Sequence, residues 1–115
     1  MNHVEDIHRL AMELRDIWLL WSRGMPPRFG IFKDRVLGLA CDLETLAAEM
    51  MEGIPVEPSR SVFYRSAATI CQRCGRYEGA IRLIKAGLAG NPPAEIKAEL
   101  EELRGQVERV MEGHQ

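Results

Sequence analysis

Apolar residues recur along most of this chain at alternating spacings of three and four, the period of an amphipathic α-helix. The first such segment runs from Val4 to about Arg23, and its apolar face consists of Val4, Ile7, Ala11, Leu14, Trp18 and Trp21. Three further residues widen this stripe and predict contact with more than one neighbour: Leu10, Ile17 and Leu20. The Gly-Met-Pro-Pro sequence at 24–27 ends the helix, because proline lacks the amide donor and the torsions that a helix needs.

A second helix is predicted from about Phe32 to Met51, again from spacings of four and three. Its predicted core face consists of Val36, Ala40, Leu43, Ala47 and Met50, thickened by Leu39 and Leu46. The segment from Gly53 to Pro58, which holds two prolines, is predicted to be a linker or turn.

Two shorter helices follow, folded back on one another at Gly75, because glycine readily adopts the positive φ found where helices end. The first of them begins near Ser61 and presents Phe63, Tyr64, Ala67, Ala68, Ile70, Cys71 and Cys74 on one face. The facing stripe of the second consists of Tyr77, Ala80, Ile81, Ile84, Gly87 and Leu88. The small residues within both stripes predict a close approach of the two helices.

The last predicted helix runs from Ala94 to about Glu112. Its apolar seam is narrow and consists of Ile96, Leu100, Leu103, Val107 and Val110, with charged residues elsewhere. Such a helix is typical of one that caps the exposed end of a helical stack. The alternative, a dimerisation seam, is less well supported because a coiled coil needs about three or more heptads and this helix contains Gly105.

Residues 61–94 resemble a tetratricopeptide repeat, a helix-turn-helix unit of about 34 residues. Tyr64 occupies the large-residue position, Ala67 and Ala68 the Leu-Gly positions, and Cys71 the tyrosine position. Residues 75–81 match the Gly-x-Tyr-x-x-Ala centre of the repeat. The register continues through Ile84, Gly87, Leu88 and Pro92. The stretches 60–71 and 86–96 are also similar to small bacterial proteins without an assigned activity.

The resemblance implies an all-α fold, in which antiparallel helical hairpins stack as a short right-handed array with a C-terminal capping helix. The predicted organisation is a single domain over 1–115, made of a divergent hairpin (1–58), a tetratricopeptide-like repeat (59–93) and the capping helix (94–115). The stack has four helices, or five with an interruption. The second helix is either overlong or breaks near Gly38.

The net charge of −2 conceals an asymmetry along the chain. Residues 1–58 carry six Lys/Arg and ten Asp/Glu, residues 59–92 carry six and one, and residues 93–115 carry three and six. A basic middle between acidic ends indicates internal charge complementarity, whereas nucleic-acid binding is typical of a domain that is basic as a whole.

The longest apolar run, Ile17 to Trp21, is far shorter than the about 20 residues of a membrane-spanning helix. No charged-then-apolar leader precedes it. These observations predict a cytoplasmic protein that does not associate with a membrane. The three cysteines are an odd number and predict reduced thiols rather than a disulfide framework.

Cys71 and Cys74, spaced as C-x-x-C, are the candidates for a metal or redox site. Redox pairs lie where a helix begins, whereas this pair ends its helix, where the dipole disfavours a thiolate. Structural zinc needs about four ligands. The remaining candidates are Cys41, His3, His8 and His114. No cofactor or metal is therefore predicted.

An enzyme is not predicted either. Glu99, Glu101 and Glu102 crowd the last helix, but no glycine-rich loop or serine elbow accompanies them, and such a run is typical of a solvated face. His8 is predicted to be a surface or boundary residue rather than a general base, since the sequence identifies no partner for it.

The candidate binding residues are polar and follow one another at i, i+4, i+7 and i+8 on the helix that begins near Ser61: Arg65, Thr69, Gln72 and Arg73. In tetratricopeptide repeats this face lines the concave groove that binds extended peptides. The resemblance therefore implies a groove for an acidic or extended segment, because a guanidinium can hold a carboxylate through two hydrogen bonds. The alternative is a solvated face paired with acids from the first half of the chain.

The leading prediction is a non-enzymatic protein–protein interaction module with a protein or peptide partner. The alternative is a helical homodimer, or a bundle that binds a metal or small molecule through Cys71 and Cys74.

Overall fold

The structure of the protein, a computed structural model, describes residues 3–113 and consists of helices. The α-helices are α1 (His3–Gly24), α2 (Gly30–Met50), α3 (Ser59–Arg73), α4 (Tyr77–Ala89) and α5 (Ala94–Gly113), and a 3-10 helix (Pro27–Phe29) precedes α2. Within residues 3–113 there is no β-strand, so the predicted all-α class is confirmed. The second helix is continuous through Gly38, and the break considered there does not occur.

Each helix packs against the next along the chain, and α3 also contacts α5. The start of α1 lies against the second half of α2, where His8 contacts Glu44. The molecule is flat, with extents of 44 × 42 × 19 Å. Its radius of gyration of 14.4 Å exceeds the about 13 Å of a compact globule of this length.

Gly75 ends α3 as predicted, because its φ of +79° reverses the chain. The Arg76 N–H donates to the Cys71 carbonyl at 2.9 Å, and the Gly75 N–H donates to the Gln72 carbonyl at 3.0 Å. These two bonds form a Schellman motif, which satisfies carbonyls that the helix end leaves free.

Small residues allow the helices around α3 to approach closely. Ala67 and Ala80 are fully buried. A Cβ atom on Gly87 would lie 3.0 Å from Tyr64 Cβ and 3.2 Å from Leu100 Cδ1. Gly87 of α4 is therefore the point where α3 and α5 both come near its backbone, and a larger side chain there would push them apart.

Arg60, at the start of α3, is buried although it is charged, and sequence analysis did not single it out. Its guanidinium donates to the carbonyls of Ala86 at 2.5 Å and Gly87 at 3.3 Å, in the last turn of α4. It also lies 4.9 Å from the centroid of the Tyr64 ring and 3.7 Å from a Glu57 oxygen. One side chain thus caps α4 and fixes it to α3.

Two glutamates complete this junction. Glu57 accepts hydrogen bonds from the backbone N–H groups of Ser61 at 3.1 Å and Asn91 at 3.2 Å. The Tyr64 hydroxyl donates to Glu52 at 2.5 Å. Burial, reinforced by the bond to Glu52, raises the pKa of Tyr64 to about 12. The tyrosine therefore remains a neutral donor at physiological pH.

The predicted core face of α2 is correct for Ala40 and Ala47 but wrong for three of its larger residues. Its buried residues are Leu37, Gly38, Ala40, Cys41, Glu44, Ala47 and Ala48. Leu39, Leu46 and Met50, which were placed on the core face, are exposed. The helix has apolar residues on most of its circumference, so periodicity alone does not define its orientation. Its alanines set the packing, because they allow neighbouring helices to approach closely.

The wide stripe predicted for α1 is also corrected. Val4 and Ala11 are buried, but the three residues expected to widen the stripe, Leu10, Ile17 and Leu20, are exposed. The predicted core stripes of α4 and α5 agree better with the structure. Ala80, Ile84 and Gly87 of α4 are buried, as are Ile96, Leu100, Leu103 and Val107 of α5.

Ala80→Leu should lower the free energy of unfolding by about 1–3 kcal/mol, because a fully buried position cannot accept three more carbon atoms without moving its neighbours. Urea denaturation followed by circular dichroism measures the change. Ala98→Leu, on the exposed side of α5, is the matched control and should leave stability nearly unchanged. Equal stabilities of the two variants would contradict the close packing at Ala80.

Arg60→Met should cost about 2–4 kcal/mol, because methionine keeps the apolar stem but leaves two carbonyls of α4 and a glutamate without their cationic donor. Arg82→Met, at an exposed position of α4, controls for the loss of one positive charge. If both variants lose the same small amount in urea denaturation, the Arg60 contacts do not hold the junction together.

Candidate functional site

The four predicted binding residues, Arg65, Thr69, Gln72 and Arg73, lie together on α3. They form one wall of a cleft of about 400 Å³, whose other wall belongs to α5. The α5 wall consists of Glu99, Glu102, Leu103 and Gln106. We call this cleft the α3 groove, and the name also includes a smaller cleft between α3 and α1. The sequence spacing placed these four residues on one face of α3, where they do lie together, but it held no information about the wall opposite.

On its other side, the same row borders a smaller cleft of about 200 Å³ between α3 and α1. Arg65 and Arg73 line this cleft too, and Arg15 of α1 joins them. Its remaining lining residues, Ser66, Thr69 and Ile70, carry no charge. The α3 groove therefore has three guanidinium groups without a lining carboxylate at the α1 end and two glutamates at the α5 end.

The cations of the groove differ in how far they are already paired. Arg65 Nη1 lies 2.8 Å from Glu99 Oε2, and Arg15 Nη2 lies 2.9 Å from Asp16 Oδ1. Thr69 donates to the Arg65 carbonyl at 2.8 Å, so its hydroxyl hydrogen is engaged within the helix. Arg73 is exposed and makes no ion pair with the described residues. It is therefore the cation of the groove that is most available to an incoming anion.

A half-buried contact between His8 and Glu44 lies beside the α1 end of the groove, and sequence analysis missed it. His8 Nδ1 of α1 lies 2.7 Å from Oε2 of Glu44, a residue of α2 with no solvent exposure. The His8 ring also meets the edge of Phe63 of α3, with centroids 4.9 Å apart. No clear signal of the pair is present in the sequence, because Glu44 is one of four acidic residues of α2 and the other three, Asp34, Asp42 and Glu49, are exposed.

Burial raises the pKa of Glu44 above its ordinary value of 4.5, and hydrogen bonding by Ser66 and the nearby charge of His8 act in the opposite direction. Chemically, the carboxyl group orients the imidazole ring. Within residues 3–113, no three His, Cys, Asp or Glu side chains are arranged to hold a metal ion. The pair joins α1 and α2 next to α3, and we assign it a structural role.

The expectation of three reduced thiols is wrong, because Cys41 of α2 and Cys71 of α3 form a disulfide. Cys74 is separate from this bond, and its thiol lies 3.5 Å from the Leu37 carbonyl. Burial raises the pKa of the Cys74 thiol, partly offset by the charge of Arg76. Cys71 and Cys74 are thus not a free dithiol pair. His114, the remaining candidate ligand near the chain end, lies outside the described residues.

Comparison of the chain with protein-family models, with curated proteins and with solved structures finds no match. The resemblance to a tetratricopeptide repeat therefore rests on residues 61–94 alone. Among the described helices, none combines the length and the apolar character needed to cross a bilayer.

Glu44→Gln should reveal a pH-dependent part of the stability. Because the pKa of Glu44 is raised in the folded state, the folded protein holds this proton more tightly than the unfolded chain does. That contribution is complete below about pH 4.5 and is lost as pH rises through the folded-state pKa. The stability of wild type relative to the variant should therefore fall across that interval.

Urea denaturation at a series of pH values measures this difference. Glu49→Gln, at an exposed position of α2, is the control and should show no such trend. A constant difference between wild type and Glu44→Gln would mean that the pKa of Glu44 is not raised on folding.

Proposed function

We propose that this protein is a non-enzymatic interaction module whose α3 groove binds an acidic, extended segment of a partner protein. The observation that carries the proposal is the grouping of Arg15, Arg65 and Arg73 around one end of the groove, with only uncharged side chains between them. Peptide carboxylates are the natural counterpart of such a site, since each guanidinium offers two parallel donors.

The proposed array is right-handed and tetratricopeptide-like, and the order of the helix contacts supports its stacking of hairpins. The α1–α2 and α3–α4 hairpins follow one another, and α5 packs on both α3 and α4, as a helix that begins a further hairpin would. In such an array the first helix of each hairpin lines the concave side. The α3 groove corresponds to this side, and α5 is the proposed cap.

The charges at the two ends of the groove differ, and this difference sets the proposed orientation of the bound segment. Glu99 and Glu102 on the α5 wall repel acidic side chains, so the acidic part of the ligand belongs at the α1 end. Arg65 is already paired with Glu99, and an incoming carboxylate must compete with that pair. Arg73 is therefore the proposed principal contact, and affinity should be modest and fall as salt rises.

The proposed partner is a protein or peptide rather than nucleic acid, because the ion pairs of the basic middle segment already use much of its charge. Arg60, Arg65 and Arg76 contact acids from the flanking segments. A metal-binding or small-molecule bundle built on Cys71 and Cys74 has no supporting observation, since Cys71 is bonded to Cys41. The cytoplasm remains the predicted location, although the argument from reduced cysteines no longer supports it.

Arg73→Glu should weaken binding of a fluorescent, glutamate-rich peptide by about 10- to 100-fold, which corresponds to the loss of one or two charge-assisted hydrogen bonds. Fluorescence anisotropy at low salt measures the dissociation constant. Arg82→Glu, at an exposed position of α4, changes the net charge equally and is the matched control. We avoid Arg65→Glu as the primary test, because it would place a carboxylate beside Glu99.

A second peptide, with glutamine at every glutamate position, distinguishes recognition of charge from non-specific binding. It should bind wild type as weakly as the acidic peptide binds Arg73→Glu. Equal loss of affinity in the Arg73 and Arg82 variants would show only a non-specific charge effect. Undiminished binding by Arg73→Glu would place the peptide site outside the α3 groove.

A further inference from the structure

The large apolar side chains that are exposed within the described residues lie in the first half of the chain. Among residues 3–113, the large hydrophobic residues that are exposed are Leu10, Ile17, Leu20, Ile31, Phe32, Leu39, Leu46, Met50, Ile54 and Val56. All of them precede α3. Scattered exposed apolar residues are common on soluble proteins, whereas their concentration on one hairpin indicates a binding surface.

On α1 these residues point away from α3. His8 contacts Phe63 of α3 and Met12 contacts Ser66 of α3, so both mark the side of α1 that faces the rest of the molecule. Leu10 lies two residues from His8 and two from Met12, and two residues correspond to a rotation of about 200° around the helix axis. Leu10 therefore faces the opposite way. Ile17 and Leu20, seven and ten residues further along, continue its row.

The same argument holds for α2. Leu37 contacts Cys74, and Cys41 is bonded to Cys71, so both mark the side of α2 that faces α3. Leu39 lies between them in the sequence and is half exposed on the opposite side. Its row continues through Phe32, Leu46 and Met50.

Because α1 and α2 pack together, the two rows form one apolar surface on the side of the hairpin opposite α3. We call it the outer face. It consists of Leu10, Ile17, Leu20, Phe32, Leu39, Leu46 and Met50, which are between 37% and 67% exposed. With about 150–200 Å² for each large side chain, these seven residues expose roughly 500–700 Å². This is at or above the largest apolar patch of a typical monomer, about 300–600 Å².

We propose that the outer face binds the outer face of a second copy of this chain. A stable interface buries about 800 Å² on each partner, and the outer face supplies most of that area. The row on α2 carries no charge, whereas Glu13 lies between Leu10 and Ile17 on α1. A twofold-related copy therefore meets no like charge where the two α2 rows lie at the centre. Two hairpins joined in this way form a four-helix bundle of α1, α2 and their symmetry mates.

The other end of the molecule explains why association stops at two copies. The exposed positions of α5 are mainly charged and include Glu95, Lys97, Glu99, Glu101 and Glu102. The described part of α5 has no large exposed apolar side chain and so offers no second apolar surface. A pairing of outer faces is therefore closed, and it leaves the α3 groove of each copy on the far side of its hairpin.

The test is the mass in solution of wild type and of Leu39→Glu/Leu46→Glu, measured by light scattering after size exclusion. Wild type should have twice the 13.0 kDa of the chain. The variant should be monomeric, with a dimer dissociation constant at least about 100-fold higher, because each dimer would hold four carboxylates in an apolar interface. Both positions are about half exposed in the monomer, so helix content by circular dichroism should not change.

Ile54→Glu/Val56→Glu is the matched control, since these residues are similarly exposed but lie in the connection after α2, outside the two rows. It should remain dimeric. A dimer that survives the Leu39/Leu46 substitutions, or that dissociates equally in the control, would overturn the proposal. A monomeric wild type would also overturn it and would leave the outer face to a different protein.

Hydrogen exchange of unmodified wild type keeps the proposal testable if the substituted protein does not fold. As protein concentration rises, amides of α1 and α2 should exchange more slowly, while those of α4 and α5 should not change. Concentration-independent exchange throughout would count against the dimer. Arg73→Glu should remain dimeric, so loss of peptide binding and loss of pairing are separate results.

Discussion

The structure depends on one short helix that touches all the others. α3 contacts α2, α4 and α5 directly, and His8 and Met12 of α1 reach its Phe63 and Ser66. Eight of its 15 residues are buried. A helix can have neighbours on so many sides only where its side chains are short, since interiors are packed at crystal-like density. Ala67 and Ala68 of α3 meet this requirement.

The central position of α3 also explains the charge distribution along the chain. Its segment is basic because its arginines reach acids on both sides: Arg60 meets Glu57, Arg65 meets Glu99, and Arg76 meets Asp42. The exposed pairs contribute little stability individually. Arg60 is different, because it is buried and also caps α4. Among the described residues of this segment, Arg73, Arg82 and Lys85 are exposed and make no ion pair.

Sequence analysis predicted what depends on local signals. Helix limits agree within two residues, because glycine and proline act on their own backbone and immediate neighbours. The polar row of α3 was likewise readable from helical spacing. The orientation of α2 about its own axis could not be read from the spacing, because leucines and alanines occur on most sides of this helix. The His8–Glu44 pair joins residues 36 apart, and Arg60 caps carbonyls 26 and 27 residues away. Such contacts exist only once the helices have been placed.

The two wrong predictions about apolar faces have a common physical cause. A hairpin inside a helical stack is covered on both sides and therefore needs a broad apolar surface, whereas a hairpin at the end needs only a narrow one. α5 has the narrow seam of a terminal helix. α1 and α2 have the broad pattern of an inner hairpin, yet within this chain only one of their sides is covered. Leu10 and Leu39 fall within these broad patterns but are exposed, because apolar spacing does not show which sides of a helix the rest of the chain covers.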